Sequence, residues 1–487
     1  MGTPVAGAPA LHVGDSAGRW VLAATVLGSS MALLDATVVN LALPRMAADL
    51  DASFTGLQWI LNGYTLTLAA LILLGGALGD RYGRKRVFLF GAVWFTVASV
   101  ACAVAPGVHV LVAARIAQGV GGALLSPGSL AILQSSFDPH ERGRAIGMWS
   151  GLGGVATALG PFLGGWLVDV ASWRWIFLLN VPFGVAVVAI GRTHIPETRD
   201  PNATGRLDWL GAVLGAGSLA ALTLGLSERL WVVSFLGIAL LASFVVAERR
   251  PDPLVPLDIF RSRVFSGTNV VTFLLYGAFA SVFFLLGLVL QGPLGYSPLQ
   301  AGLATMPITL SMLLLSARAG ALAERIGPRV PMTLGPLLVA GALLLLSRID
   351  ADSTYVTDVL PGIVVFGLGL ALTVAPLTAT ALGAVSDEHA GVASGVNNAV
   401  ARTGQLLAVA AVPLIAGFAP GADVGAAELI TGFETVLRVS AVVAAGAAAV
   451  AWVTVGERRL ERTEEATFHH CAASGPPAVA KSVPAGR

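Results

Sequence analysis

About fourteen apolar runs, each close to the ~20 residues needed to cross ~30 Å of hydrocarbon, leave this chain few folds to adopt. The runs fall at 20–43, 57–79, 87–106, 109–133, 145–169, 175–192, 208–226, 229–247, 264–290, 299–322, 331–348, 357–382, 392–418 and 434–455. Inside a bilayer every backbone N–H and C=O has to be paired within the protein, so the runs are expected to be helices. The strand-like alternation that a membrane barrel needs is absent from them. Charged residues make up 12% of the chain, against about a quarter in a soluble domain. The expectation is an all-α protein of the cell membrane, crossing it about fourteen times.

The second run ends in Gly76-Ala77-Leu78-Gly79-Asp80-Arg81-Tyr82-Gly83-Arg84-Lys85-Arg86, and a second copy reads Gly320-Ala321-Leu322-Ala323-Glu324-Arg325-Ile326-Gly327-Pro328-Arg329. The offset, 320 − 76 = 244, also relates Gly147, Ser150, Gly151 and Gly160 to Gly391, Ser394, Gly395 and Gly404. One offset shared by separate regions indicates an internal duplication. Each half then holds six spans, and spans 7 and 8 are left as a hairpin between polar linkers. The boundaries expected are 1–192 for the first bundle, 193–263 for the linker with its hairpin and 264–456 for the second bundle. Residues 457–487, charged and then rich in Ala, Pro and Ser, are expected to be a disordered tail. Duplicated membrane halves suggest a transporter whose site lies between them.

Orientation follows from the cations. Of the 29, Arg45, Arg174, Arg229, Arg348 and Arg438 fall on one side and Arg115, Arg318 and Arg402 within spans, leaving 21 on the side of the termini. Both termini are therefore expected in the cytoplasm. Residues 1–18 carry no cationic leader and the first run is full length, so it reads as a retained span rather than a cleaved signal.

Ionisable groups within spans are costly and so are functional candidates. If the first helix enters at Trp20, Asp35 lies ~22 Å from the cytoplasmic surface at 1.5 Å per residue. Arg115, on a span entering at His109 from the other side, lies ~21 Å from the same surface. An adjacent cation favours an ionised carboxylate while apolar surroundings favour the neutral acid, so the proton on Asp35 should follow conformation. That arrangement suits proton coupling; a static ion pair joining two helices is the alternative. Once deprotonated, Asp35 should favour a cationic or hydrogen-bond-donating substrate. Arg402 has no carboxylate at its depth, and faces a cavity or an anionic substrate group, or else bonds backbone carbonyls.

Span 5 carries Gly160-Pro161 and Gly164-Gly165. Small residues let helices approach closely in lipid, and proline bends a helix and frees a carbonyl. The cluster reads as a hinge or a seal between halves. Asp80 and Glu324 end spans 2 and 10, where each carboxylate can reach the helix start of span 13 or span 5 in the other half and latch the cytoplasmic side. Gly76, Arg81, Gly83, Arg84 and Arg325 complete that gate; a plain orientation signal is the alternative. Trp59, Asn62, Tyr64, Gln118, Trp149, Asn180, Asn269, Tyr276, Asn397, Asn398, Arg402 and Gln405 are candidates for a cavity wall.

Several chemistries are missing. No histidine lies deep in a span, no Gly-x-x-x-x-Gly-Lys-Ser/Thr loop points to ATP, and no His-Glu-x-x-His motif or cysteine pair points to an intramembrane metal. His469-His470-Cys471 in the tail reads as unstructured chain rather than a metal site. The two cysteines, Cys102 and Cys471, are too far apart in context to form a disulfide framework. No metal, no cofactor beyond a proton gradient, no nucleic-acid partner and no enzymatic activity are expected, and the protein is expected to be a monomer.

Together these residues resemble the major facilitator superfamily. The 76–86 stretch looks like its loop signature. Arg115, Gln118, Gly119, Gly121 and Gly122 resemble its fourth-span motif, whose arginine is implicated in proton coupling. Residues 156–165 look like the fifth-span motif of its antiporters, with Ala156 where glycine is usual. Leu34-Asp35-Ala36-Thr37 through Pro44, and Trp173-Arg174-Trp175 through Pro182, resemble the fourteen-span drug:proton antiporter branch. The resemblance implies two six-helix bundles with an inserted helix pair and proton-driven export of drug-like or metabolite molecules. Members that export dications use further carboxylates in the second half, and none lies in a span here. Import or uniport of a polar metabolite, and a non-transporting sensor or scaffold, are the competing readings. The glycine-proline motif argues against the first, and the lack of a folded output domain against the second.

Overall fold

A computed structural model describes residues 11–200, 207–250, 253–385, 390–419 and 421–456. The tail expected at 457–487, with its His469-His470-Cys471, lies outside them. In the first half α1 (Ser16–Leu50), α2 (Phe54–Tyr82), α3 (Arg84–Ala103), α4 (Val108–Ser136) and α5 (Arg142–Val170) are single helices. The sixth span runs as α6 (Arg174–Leu178) and α7 (Asn180–His194), with Leu179 between them still at helical φ and ψ. Trp173 Nε1 and Arg174 Nη1 both donate to Asp49 Oδ2, at 2.8 and 2.6 Å, which fastens the start of that span to the end of α1.

The hairpin is α8 (Trp209–Ser227) and α9 (Trp231–Ala247), followed by α10 (Arg263–Gln291), α11 (Pro298–Ile326), α12 (Arg329–Leu346), α13 (Leu360–Gly383), α14 (Ala390–Ala416) and α15 (Ala426–Thr454). Among the described residues thirteen helical stretches are long and apolar enough to cross a membrane, while α9, with 17 residues, is shorter. It still spans ~25 Å. It starts later than the expected run because Arg229, with φ +56°, turns the chain between α8 and α9. Helix starts follow local chemistry: the Ser53, Asp208 and Ser262 side chains each accept a backbone N–H of the first turn, and Ser297 with Gln300 forms a capping box.

The duplication is visible in the bounds. Shifting α2 by 244 gives residues 298–326, the limits of α11. Packing repeats as well: α1 lies on α5 as α10 lies on α14, and α2 on α4 as α11 on α13. Between halves, α5 crosses α11 and α2 crosses α14. These two seams are equivalents, because α5 corresponds to α14 and α2 to α11.

An even number of spans brings both ends of the chain to one face, here the termini face; the opposite one is the far face. On the far face a single apolar core runs through both halves. Phe54 meets Phe284 and Phe418 edge-on, with ring centres 5.3 and 5.0 Å away. On the termini face the cores separate, one around Val21, Phe88 and Phe137 and another around Val271, Met332 and Ala451. Beside Gly147 and Gly151 of α5 there is open space, whereas Leu73 of α2 still touches α14 at Gly395. The halves are thus joined on the far face and parted along α5 and α11 on the other.

The hairpin bridges the far ends of the second seam. Glu228 Oε1 accepts from Trp59 Nε1 of α2 at 3.4 Å. Arg229 Nη2 donates to the Pro413 and Phe418 carbonyls, at 3.0 and 2.7 Å, at the end of α14. Outward, α9 presents Val232, Phe235, Leu236 and Ile238, as a lipid-facing helix must.

Candidate functional site

Asp35 and Arg115 meet. Asp35 Oδ2 accepts from Arg115 Nη1 at 2.6 Å, and both side chains are almost fully buried. Arg115 Nε also donates to the Ile60 carbonyl at 3.0 Å, and its guanidinium lies 4.4 Å from the Tyr64 ring centre. Gln118, one turn along α4, accepts from Arg115 and donates to Asp35 Oδ1 at 2.9 Å and to Ser99 Oγ at 2.8 Å. Asn180 Nδ2 reaches the same Ser99 Oγ at 3.3 Å. Through Arg115 and Gln118 of α4, the Asp35 carboxylate of α1 is joined to α2 at Ile60, α3 at Ser99 and the sixth span at Asn180 in one network. A buried pair of this kind holds only with such supporting bonds, because desolvation of each ion is large.

Beside the pair lies a cavity of about 550 Å³ between the halves. Its wall includes Arg115, but not Asp35, which is sealed behind the guanidinium. The expectation that an ionised Asp35 offers itself to a cationic substrate is therefore not met in this conformation. Asn62, Tyr64, Tyr276, Asn397, Asn398, Arg402 and Gln405 line the wall as expected. Trp59, Gln118, Trp149, Asn180 and Asn269 do not. Trp59 faces the hairpin, and Gln118 and Asn180 belong to the network behind the wall. Trp149 Nε1 donates to Ser29 Oγ at 3.0 Å. Asn269 bonds the Phe265 carbonyl at 2.9 Å and holds Asn397 from behind at 3.2 Å. Each is turned away from the cavity by the rotation of its helix.

Of the two alternatives for Arg402 the structure gives the cavity: its recorded bond is from Nη1 to Gln405 Oε1, at 3.1 Å.

The glycine-proline cluster of α5 sits on the first seam. A Cβ on Gly160 would meet Thr37, and one on Gly164 would meet Val38, both of α1. A Cβ on Gly165 would meet the backbone of Pro298 and Leu299, and one on Gly302 of α11 would meet the Pro161 carbonyl. At the equivalent place on the second seam Gln58 Nε2 donates to the Val409 carbonyl at 2.5 Å. Gln58 is the counterpart of Gly302, and Val409 of Gly165, under the same offset of 244. One seam is closed by backbone contact and the other by a hydrogen bond. Gly302→Leu should wedge the first seam apart, so that cysteines placed on the far-face side of the cavity react faster with a membrane-impermeant thiol reagent while insertion is unchanged. Parent-like labelling would show that the backbone contact does not close this face.

In the 76–86 loop, Asp80 pairs with Arg84 of its own loop, Oδ1 lying 2.8 Å from Nε and 2.7 Å from Nη2. It does not reach across to α14 in this conformation, and residues 386–389 before that helix lie outside the described part. Glu324 and Arg325 are exposed, and no ion pair is recorded for either among the described residues. The Asp80 half of the expected latch, at the start of α14, thus falls next to residues outside the described part, and among the described residues no hydrogen bond or ion pair joins Glu324 to α5. Gly76 is in ordinary contact with Pro127, at 3.7 Å from a built Cβ; space does not demand glycine there. Gly83 is different: its φ of +114° and the Glu197 carboxylate beneath it both exclude a side chain. Arg81 lies 5.8 Å from the Tyr82 ring centre.

Sequence alone does not single out Glu197, Ser99, Gln58 or Gly302. Glu197 accepts from the Lys85 N–H at 3.2 Å at the start of α3 and faces Arg86 at 3.6 Å, binding the chain after α7 to the cationic loop. Ser99 was within reach of the depth argument: counted from Arg84 it lies ~22 Å in, level with Asp35. Among the described residues no group of His, Cys, Asp and Glu could hold a metal ion.

A family model described as Major Facilitator Superfamily matches residues 25–409. The tetracenomycin C resistance and export protein of Streptomyces glaucescens is 35% identical over 404 residues, covering 81% of this chain and 75% of that protein. The puromycin resistance protein pur8 of Streptomyces alboniger is 34% identical over 468 residues, covering 90% and 92%. Among solved structures, a bacterial homologue of the human lysosomal transporter Spinster, inward-facing and unoccupied, overlays with a TM-score of 0.65 at 16% identity, covering 90% of this chain and 97% of that one.

Proposed function

The chain belongs to the Major Facilitator Superfamily, and from that premise we propose that it is a proton-coupled antiporter that exports hydrophobic, antibiotic-like small molecules. The observation that carries this reading is the buried Asp35–Arg115 pair at a cavity between two halves, with Arg115 in the wall and Asp35 behind it. An ionisable pair adjoining a substrate-sized space can exchange a proton when the pocket changes face. The relatives named for antibiotic export and resistance support the cargo class.

The termini face is taken as cytoplasmic, because the excess of cations lies there. On that assignment the structure is the cytoplasm-open form of an alternating-access cycle. Residues 1–192 and 264–456 act as the rocking bodies, the α5–α11 and α2–α14 crossings open and close the outer side, and the Asp80 and Glu324 loops close the inner one. The proton gradient is the energy source, with no metal or organic cofactor, no catalytic step and a single chain as the working unit.

Inside-out vesicles test the reading. With an acid interior they should accumulate substrate against its gradient, and collapse of the pH difference should release it. Vesicles that take up nothing from a panel of hydrophobic antibiotics and dyes, or that accumulate only when the interior is alkaline, would overturn it.

A further inference from the structure

We propose that the cavity recognises an aromatic molecule carrying an acidic group, with Arg402 as the partner of the anion. The setting rests on the export reading; the chemistry rests on the wall itself. Among the described lining residues there are two arginines and no carboxylate. Arg115 is neutralised by Asp35 at 2.6 Å. Arg402 has only a neutral acceptor, Gln405, in its recorded bonds, and no carboxylate lies within 4 Å of it among the described residues. A guanidinium offers five N–H donors in a fixed fork, matched to a carboxylate or similar oxyanion. The pocket therefore carries an uncompensated positive charge, and in a partly desolvated site the group that complements it best is an anion.

The rest of the wall says what the anion is attached to. Asn397 and Asn398 extend the polar face of α14 on the termini side of Arg402. Opposite in character, α10 contributes Tyr276, Phe279 and Phe283 at spacings of three and four, which places them on one helix face. Tyr276 and Phe279 have ring centres 5.5 Å apart, and Phe366 braces Phe279 and Phe283 from behind at 5.5 and 6.1 Å. Such a row offers stacking and edge contacts to flat rings. About 550 Å³ holds one molecule of drug size. The ligand class is thus fused or linked aromatic rings bearing a carboxylate, an enolate or an acidic phenol. A cationic ring system of the same shape would meet two guanidinium groups, with Asp35 sealed away behind one of them.

Fluorescein and rhodamine 6G share a xanthene ring system and differ in charge, so they make the test. Binding of each to the purified full-length protein, at a pH where fluorescein is anionic, is followed by fluorescence anisotropy. Fluorescein should bind at least about tenfold more tightly than rhodamine 6G, the factor typical of one charge-assisted hydrogen bond. Arg402→Gln should erase that preference, and Arg402→Lys should restore part of it. Equal binding of the dyes, a preference for rhodamine 6G, binding of neither, or an unchanged preference in Arg402→Gln would overturn the proposal. The preference of the parent protein needs no variant, so a folding defect cannot mask the answer. Vesicle transport run alongside separates the two ideas. Arg402-dependent fluorescein binding without transport of either dye would sustain the anion site and count against export. Pumped rhodamine 6G without fluorescein binding would overturn the anion site and sustain export.

Discussion

Asp35→Asn is expected to abolish uphill export while leaving downhill exchange in place. The amide fills the same space, and its one oxygen can keep one of the two bonds the parent carboxylate accepts, from Arg115 at 2.6 Å or from Gln118 at 2.9 Å, while its NH2 group takes the place of the other acceptor. What it cannot do is gain and lose a proton. A pump whose gradient enters through this carboxylate loses its drive and becomes a facilitator. In inside-out vesicles the accumulation ratio should fall to about one, a loss of at least about tenfold for a substrate concentrated that far by the parent, equivalent to ~1.4 kcal/mol of driving force. Counterflow of labelled against unlabelled substrate should persist. Asp35→Glu should pump partially, with a displaced pH profile. If Asp35→Asn still releases protons on substrate binding and still accumulates substrate, coupling runs through another group.

The second large effect is on stability. Arg115→Met removes the charge partner of a buried carboxylate and leaves Asp35 with Gln118 as its remaining donor. Breaking a buried pair from one side costs about 3–5 kcal/mol, because an uncompensated charge remains. Thermal melts in detergent should show a large drop. The double variant Asp35→Asn/Arg115→Met should recover part of the loss, since neither charge is then buried. Recovery should be incomplete, because Arg115 also bonds the Ile60 carbonyl and packs on Tyr64. Additive losses in the two single variants would mean that the pair contributes nothing as a pair.

Much of this was legible in the sequence because the duplication has kept its length. The offset read from two loops predicts the limits of α11 from those of α2 to the residue. Depth was legible too: helices rise by a fixed distance per residue, so Asp35 and Arg115 could be placed at one level before their contact was seen. Rotation about the helix axis was not. In a soluble helix the polar face marks the outside, but lipid is as apolar as a protein core, so the pattern does not say which face looks inward. That is why Asn62 and Asn397 reach the cavity wall while Asn269, equally polar, and Trp149 turn away. It is also why Ser99, an ordinary residue in an apolar run, stayed hidden at the centre of the Asp35 network. Glu197 was missed for another reason, because its partner loop is more than a hundred residues upstream and nothing local announces the pairing.

The hairpin tip bears on speed. Any cycle that parts α2 from α14 on the far face has to stretch or release the bonds by which Arg229 holds the end of α14, since Glu228 ties the same turn to Trp59 of α2. A helix pair inserted between the bundles would then work as a governor, raising the barrier to opening of the far face without touching the pocket. Arg229→Ala should quicken that opening, seen as faster labelling of a far-face cysteine during turnover, with the equilibrium affinity for substrate unchanged. Labelling at the parental rate would mean that the strap is slack. Two spans that no transport cycle strictly requires would, on this footing, set how often the outer door swings rather than what passes through it.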